Sequence, residues 1–352
     1  MSSTHIFHYH KEFKLESGEK LRELEIAYHT YGKLNAKKDN VIWACHALTA
    51  NADVADWWKG LFGEKYLFNP EDHFIICANV LGSHYGTTNP LSINPVTGTP
   101  YYLSFPQITI RDMVSAHQLL ADHLGITKIN VLIGGSLGGQ QASEWAISES
   151  MVIENLILVA TNASHSPWGI AFNESQRLAI TTDRSFYAQK PDGGARGLKT
   201  ARSIALLSYR TYEAYGATQV ESVNDKTDDF RASSYQNYQG EKLCKRFNAY
   251  SYWYLTKAMD SHNAGRGRKS VADALSGIKS NTLVIGIDND FLFPISEQEY
   301  LGKHIPGAAF HRISSAYGHD GFLIETDILT NIIGNFLKEG ANKKIIKLHK
   351  TA

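Results

Sequence analysis

Cysteine is scarce in this 352-residue chain. Cys45, Cys77 and Cys244 have no spacing that suits a zinc site or a redox pair, and an odd, low count fits a reducing compartment. Excess charge of one sign is absent too. Lysine plus arginine and aspartate plus glutamate both number 35, so the formal net charge is zero. That leaves no electrostatic footprint for a nucleic-acid or polyanion binder. Long apolar runs are missing: no segment approaches a membrane span. Met1 to Lys14 is polar and His-rich, without the apolar stretch of a secretory signal. There are no repeats and no low-complexity linkers. The expectation is a cytoplasmic protein with neither nucleic-acid nor membrane partners. At 43% hydrophobic residues, the chain can bury one full domain plus an insertion.

What the chain does have is Gly134-Gly135-Ser136-Leu137-Gly138. It follows the apolar run Ile129 to Ile133 and leads into Gln140 to Ile147, which reads as a helix. Strand, sharp turn and helix with a serine at the tip are what this motif requires. Glycines at −2 and +2 are needed because side chains there would collide in so tight a bend. The bend lifts the hydroxyl clear of the sheet.

The surrounding pattern predicts strands within Glu16 to Tyr31, at Asn40 to Cys45, Phe74 to Val80, Leu156 to Thr161, Thr282 to Ile287 and Ala309 to Ile313. Helical spacing marks Ile110 to Leu124, Ser296 to Lys303 and Ile324 to Lys338. Apolar runs alternating with helices imply an α/β fold, a mostly parallel sheet covered on both faces. The stretch 162–280 breaks the alternation and is rich in Tyr, Trp and Arg. It reads as a helical lid inserted into a core made of residues 1–161 and 281–352.

A serine hydroxyl needs a base. In this topology the order is serine, acid, histidine, each at a strand end. His319, in the glycine-flanked loop after Ala309 to Ile313, fits the base. Asp288 and Asp290 compete for the acid after Thr282 to Ile287. Asp290 is preferred, since the loop must first leave the strand before a carboxylate can turn toward His319. An oxyanion hole needs two backbone donors, expected from Leu137 and Leu48. His46 reads as a structural brace for the Leu48 loop. Acyl transfer through an acyl-serine follows, with the acceptor left open.

Further matches run the length of the chain. They include Tyr31 to Asn35, His46 to Thr49, Ser92 to Pro95, Thr109 to Met113, Gly138 to Ala146, Ala201-Arg202, Tyr209-Arg210, Asp290 to Pro294 and Gly318 to Asp320. Together they resemble the homoserine O-acyltransferases of the α/β-hydrolase superfamily, acetyl-CoA-using enzymes of methionine biosynthesis. The resemblance implies Ser136, Asp290 and His319 as the triad. It implies Arg202 and Tyr209 at the substrate carboxylate and Asp320 at its amino group. A zwitterion needs a cation and an anion at fixed separation, and a planar guanidinium suits a carboxylate. It also implies L-homoserine and acetyl-CoA as substrates and a homodimer formed through lid helices; the residues themselves indicate no metal or bound redox cofactor.

Departures from the family pattern fall at Leu137 and Gln140, at Ser83, His84 and Asn89, and at Ala50, Asn51 and Asp53. These loops are expected near the pocket mouth. They leave room for serine as acceptor, for succinyl-CoA as donor, or for a carboxylesterase. A catalytically dead binding protein is disfavoured by the intact Ser, Asp and His set. Arg266, Arg268 and Lys269 are weighed as a CoA-phosphate site and read instead as a solvated loop.

Overall fold

The computed structural model describes residues 4–350, with side chains described through residue 340. Eight strands form one sheet: β1 (His5–Tyr9), β2 (Leu24–Tyr31), β3 (Val41–Cys45), β4 (Phe74–Ala78), β5 (Lys128–Gly135), β6 (Val152–Val159), β7 (Asn281–Ile287) and β8 (Ala309–Ile313). Their spatial order is β1-β2-β4-β3-β5-β6-β7-β8. β2 pairs antiparallel with both β1 and β4, and every later pairing is parallel. β1 lies in the polar N-terminal stretch where no strand was expected. It is a half-exposed edge, paired to β2, with only Phe7 and Tyr9 packed against the core.

The central strands are apolar on both sides for a visible reason. Along β3, Val41, Trp43 and Cys45 enter one buried cluster, while Ile42 and Ala44 enter another on the opposite face. Helices α1 (Ile110–His123) and α2 (Leu137–Ser148) cover the first face. Thr109 caps α1 with a capping box: its hydroxyl accepts from Asp112 N–H while Asp112 accepts from Thr109 N–H. The Thr109 to Met113 match is therefore structural. β6 ends at Val159, two residues before the expected end, because Ala160 adopts φ 45° and turns the chain out of the sheet.

Between β6 and β7 the chain builds helices α3 (Pro167–Thr182), α4 (Ala195–Tyr209), α5 (Tyr212–Thr218), α6 (Arg231–Cys244), α7 (Ala249–Asp260) and α8 (Val271–Ser276). After β7 come α9 (Ile295–His304) and α10 (Thr326–Lys350).

The basic run before α8 is neither a solvated loop nor part of the catalytic cavity. Arg266 grips Glu16 through two N–H groups, at 3.0 and 2.7 Å. Arg268 and Arg111 both donate to Glu144 on α2, whose side chain is only 3% exposed. This buried carboxylate fastens the returning end of the helical segment to the core. Removing one partner of a buried charge group strands the others. Glu144→Ala should therefore lower unfolding stability by about 3 kcal/mol in urea titrations. Lys279→Ala, which breaks an exposed pair with Glu149, should cost less than about 1 kcal/mol.

Candidate active site

The elbow is shaped by what its glycines leave out. A Cβ on Gly134 would lie 2.2 Å from the carbonyl oxygen of Gly138, and one on Gly138 would lie 2.0 Å from that of Cys45. Only bare backbone allows strand end, turn and first helical turn to pack this closely. Ser136 sits between them at φ 56°, ψ −127°, a conformation that non-glycine residues rarely hold. Its carbonyl accepts from Thr161 Oγ1 at 2.8 Å and its N–H donates to Val159 O at 3.1 Å, so the surroundings fix the bend.

Three loops at the carboxyl ends of parallel strands converge here. Ser136 Oγ lies 2.9 Å from His319 Nε2, and His319 Nδ1 lies 2.7 Å from Asp290 Oδ2. A carboxylate can only accept, so Nδ1–H donates to Asp290 and Nε2 is left to accept the serine proton. The other oxygen of Asp290 accepts from the N–H groups of Leu292 and Phe293, at 2.9 and 2.8 Å. Asp288, the competing acid, instead pairs with Arg312 at 2.8 Å and is half-exposed. Phe293 stacks on the His319 ring at 5.1 Å, with Phe322 and Tyr209 against it at 5.4 and 5.7 Å. The ring has little room to turn away.

Ser136 and His319 open into a cavity of about 320 Å³. Leu48, Arg202, Tyr209 and Asp320 line it as well. Leu137 is the first residue of α2, where N–H groups lack intrahelical acceptors. The loop carrying Leu48 is braced from below by His46, whose Nδ1–H donates to Ala47 O at 2.8 Å while Nε2 accepts Val80 N–H at 2.9 Å. That is the structural role expected of it. Gln141 Nε2 donates to the carbonyls of both His46 and Leu137 at 3.1 Å, tying the two candidate oxyanion segments together.

The Arg202 guanidinium lies over the Tyr209 ring at 5.4 Å and, among the described residues, meets no carboxylate. Burial pushes the Tyr209 phenol above its ordinary value, so it stays protonated. Asp320 is already half committed: one oxygen takes Arg210 Nε at 3.0 Å. The rings of Tyr235 and Tyr317 flank that arginine at 5.9 and 6.0 Å. Arg210 and Gln141 were visible in sequence only as members of matched runs, with no role attached.

The substituted loops divide. Ala50 and Asn51 do line the cavity. Asp53 does not; it accepts from the Tyr31 hydroxyl at 2.6 Å. Ser83, His84 and Asn89 also stay off the wall. His84 bonds Asn248 at 2.8 Å, and Asn89 closes a local turn to Leu91. Gln140 is buried and donates to Asn162 at 2.9 Å.

The sheet order and the strained serine turn define an α/β-hydrolase fold, and a family model of that description matches residues 40–326. The chain is 52% identical over 334 residues to a homoserine O-acetyltransferase of Cyclobacterium marinum, covering 95% of each. Its structure superposes on that of a homoserine O-acetyltransferase from Bacillus anthracis with TM-score 0.88 and 25% identity, covering 96% of this chain and 98% of the other. The fold, though nothing finer, is shared with esterase E22 at TM-score 0.87 and 24% identity, covering 96% of this chain and 100% of the other. The chain belongs to the homoserine O-acetyltransferase family.

Four buried histidines set a pH limit. Burial pulls His46 and His165 down to about 4, and His117 and His262 to about 3. The unfolded chain therefore binds protons that the folded chain refuses between about pH 6.5 and those values. The stability they contribute is complete above about pH 6.5 and is lost as pH falls, by up to about 1.4 kcal/mol per pH unit per histidine. Urea midpoints should fall steeply from pH 6.5 to 5, and His117→Phe should flatten that slope.

Proposed function

We propose that this protein is a homoserine O-acetyltransferase that works through an acyl-Ser136 intermediate. The observation that carries the reading is one cavity holding a Ser136–His319–Asp290 relay together with Arg202 and Asp320, a cation and an anion suited to an amino acid. The 52% identity to the Cyclobacterium marinum enzyme supports the same choice.

His319 takes the Ser136 proton as Oγ attacks the carbonyl carbon of the acetyl-CoA thioester. The N–H groups of Leu48 and Leu137 hold the oxyanion. The C–S bond breaks, and the thiolate leaves with the proton from His319. Homoserine then enters with its carboxylate on Arg202, beside Tyr209, and its ammonium on the free oxygen of Asp320. His319 takes the proton from its hydroxyl as that oxygen attacks the acyl carbon. The new oxyanion collapses with cleavage of the bond to Ser136 Oγ, His319 returns the proton to Oγ, and O-acetylhomoserine departs. Transfer wins over hydrolysis when the bound hydroxyl is held in place, since effective molarities reach roughly 10⁵ M or more.

The helical segment 162–280 serves as the lid that supplies Arg202 and Tyr209. It also exposes Leu178, Leu207 and Tyr212, and supports a homodimer formed through those helices. No helix among the described residues is long and apolar enough to cross a membrane.

Steady-state CoA release from acetyl-CoA should depend on homoserine and yield O-acetylhomoserine by mass. Equal release without an acceptor would transfer the protein to the esterases. Arg202→Ala should raise the homoserine KM by about 100-fold, the loss expected when a charge-assisted pair is removed. Burst acylation of Ser136 should stay near the wild-type rate. An unchanged homoserine KM would remove Arg202 from the acceptor site.

A further inference from the structure

The cavity wall carries two more cations that the acceptor does not need. Lys242 lies in the last turn of α6, and Arg246 follows just beyond its end. Cations near a helix C-terminus need no ligand to account for them. Two observations go further. Both side chains line the cavity that contains Ser136. Neither makes an ion pair among the described residues, whereas their neighbour Lys199 on the adjacent helix is paired with Glu241. Lys242 also makes no hydrogen bond among the described residues.

Arg246 is held in position. Its Nη1 donates to Thr49 O and, at 2.6 Å, to the Tyr85 hydroxyl, while Nη2 reaches Thr49 Oγ1 at 3.4 Å. A guanidinium has five N–H groups in a rigid fork. The Nε–H and one Nη2–H are left uncommitted. The remaining acids on this wall are Asp56, exposed on the core side, and Asp320, already paired with Arg210. Positive charge is therefore concentrated where the helical segment meets the cavity mouth.

We infer that Lys242 and Arg246 form the docking site for the phosphates of the CoA thioester, holding its charged end at the rim while the acyl end reaches Ser136. This rests on the proposed use of an acyl-CoA donor. The donor's pantetheine arm is uncharged, so phosphates outside the mouth are the groups that unpaired cations there can recognise. The basic run at Arg266 to Lys269, weighed in the sequence as a phosphate site, has Arg266 and Arg268 engaged with Glu16 and Glu144. Arg246 adds a second effect. Its grip on Thr49 places the phosphate site one residue from Leu48, the proposed oxyanion donor.

The test is calorimetric binding of CoA and of pantetheine, the same arm without the nucleotide and its phosphates, to the full-length protein. Lys242 is exposed, so its variants should fold. Arg246 is left in place because it also holds the Thr49 loop. The wild type should bind CoA at least about tenfold more tightly than pantetheine, the size of one charge-assisted contact. Lys242→Glu should remove most of that advantage, and Lys242→Arg should keep it. Lys245→Glu, an equal charge change off the cavity wall, should alter it less than about twofold.

Equal wild-type affinity for CoA and pantetheine would overturn the site. So would a Lys242→Glu effect no larger than that of Lys245→Glu. Lys242-dependent CoA binding in an enzyme that acetylates no homoserine would remove the proposed acceptor and keep this site. Homoserine acetylation with wild-type CoA affinity in Lys242→Glu would do the reverse.

Discussion

Everything at this site depends on the close approach of backbone at the elbow. Gly138 packs against the carbonyl of Cys45, and Gly134 packs against Gly138 itself. With any side chain at either position, β3, β5 and α2 could not meet as they do. That contact fixes three things at once. It places Ser136 at the crest of the turn. It aims the start of α2 at the cavity. It sets the end of β3, and hence the Leu48 loop, alongside. The strained dihedrals of Ser136 persist because two hydrogen bonds and two neighbouring strands leave no alternative.

A second layer of polar contacts holds the reactive groups from behind. His46 can brace its loop only while neutral, because Nε2 must accept the Val80 N–H. Gln141 joins the two segments proposed to supply the oxyanion N–H groups. Asp290 is anchored by two backbone N–H groups before it meets His319. In each case a short, buried side chain takes up backbone groups that would otherwise be unpaired. The cost of leaving a buried polar group unmade is larger than the gain of making it, which is why such layers are stiff.

Much of this was legible in the sequence, and the reasons differ by element. The parallel core strands read clearly because both of their faces are buried, so they appear as uninterrupted apolar runs. Ser136, Asp290 and His319 could be picked out because each sits just after such a run, in a fixed order, and the structure brings the three within hydrogen-bond distance. β1 was missed, since this edge strand puts only Phe7 and Tyr9 on the core and its other side chains are exposed. The acid at 290 rather than 288 was inferred from loop reach, and Asp288 turns out to be engaged by Arg312. The contacts of Arg210, Gln141, Lys242 and Arg246 bring together residues far apart in the chain, or depend on which neighbours are absent. Periodicity and spacing carry no record of either. The same limit applies to His84 and Asn89, which look like pocket residues by position but are spent on Asn248 and on a local turn.

The helical segment leaves the sheet at the end of β6 and returns at the start of β7, and those two strands are hydrogen-bonded neighbours. The two strands are parallel, so the exit after Val159 and the re-entry at Asn281 lie at opposite edges of the sheet, and the segment also serves as the crossover between them. Ser136, Asp290, His319 and Leu48 all lie outside it, while Arg202, Tyr209, Lys242 and Arg246 all lie within it. The proposed acylating groups thus lie in the core, whereas the proposed recognition groups are divided, since Asp320 belongs to the core as well. A lineage that kept this crossover but exchanged its helices would change four of the five proposed recognition groups, while Asp320 and the proposed acylating residues passed through unaltered.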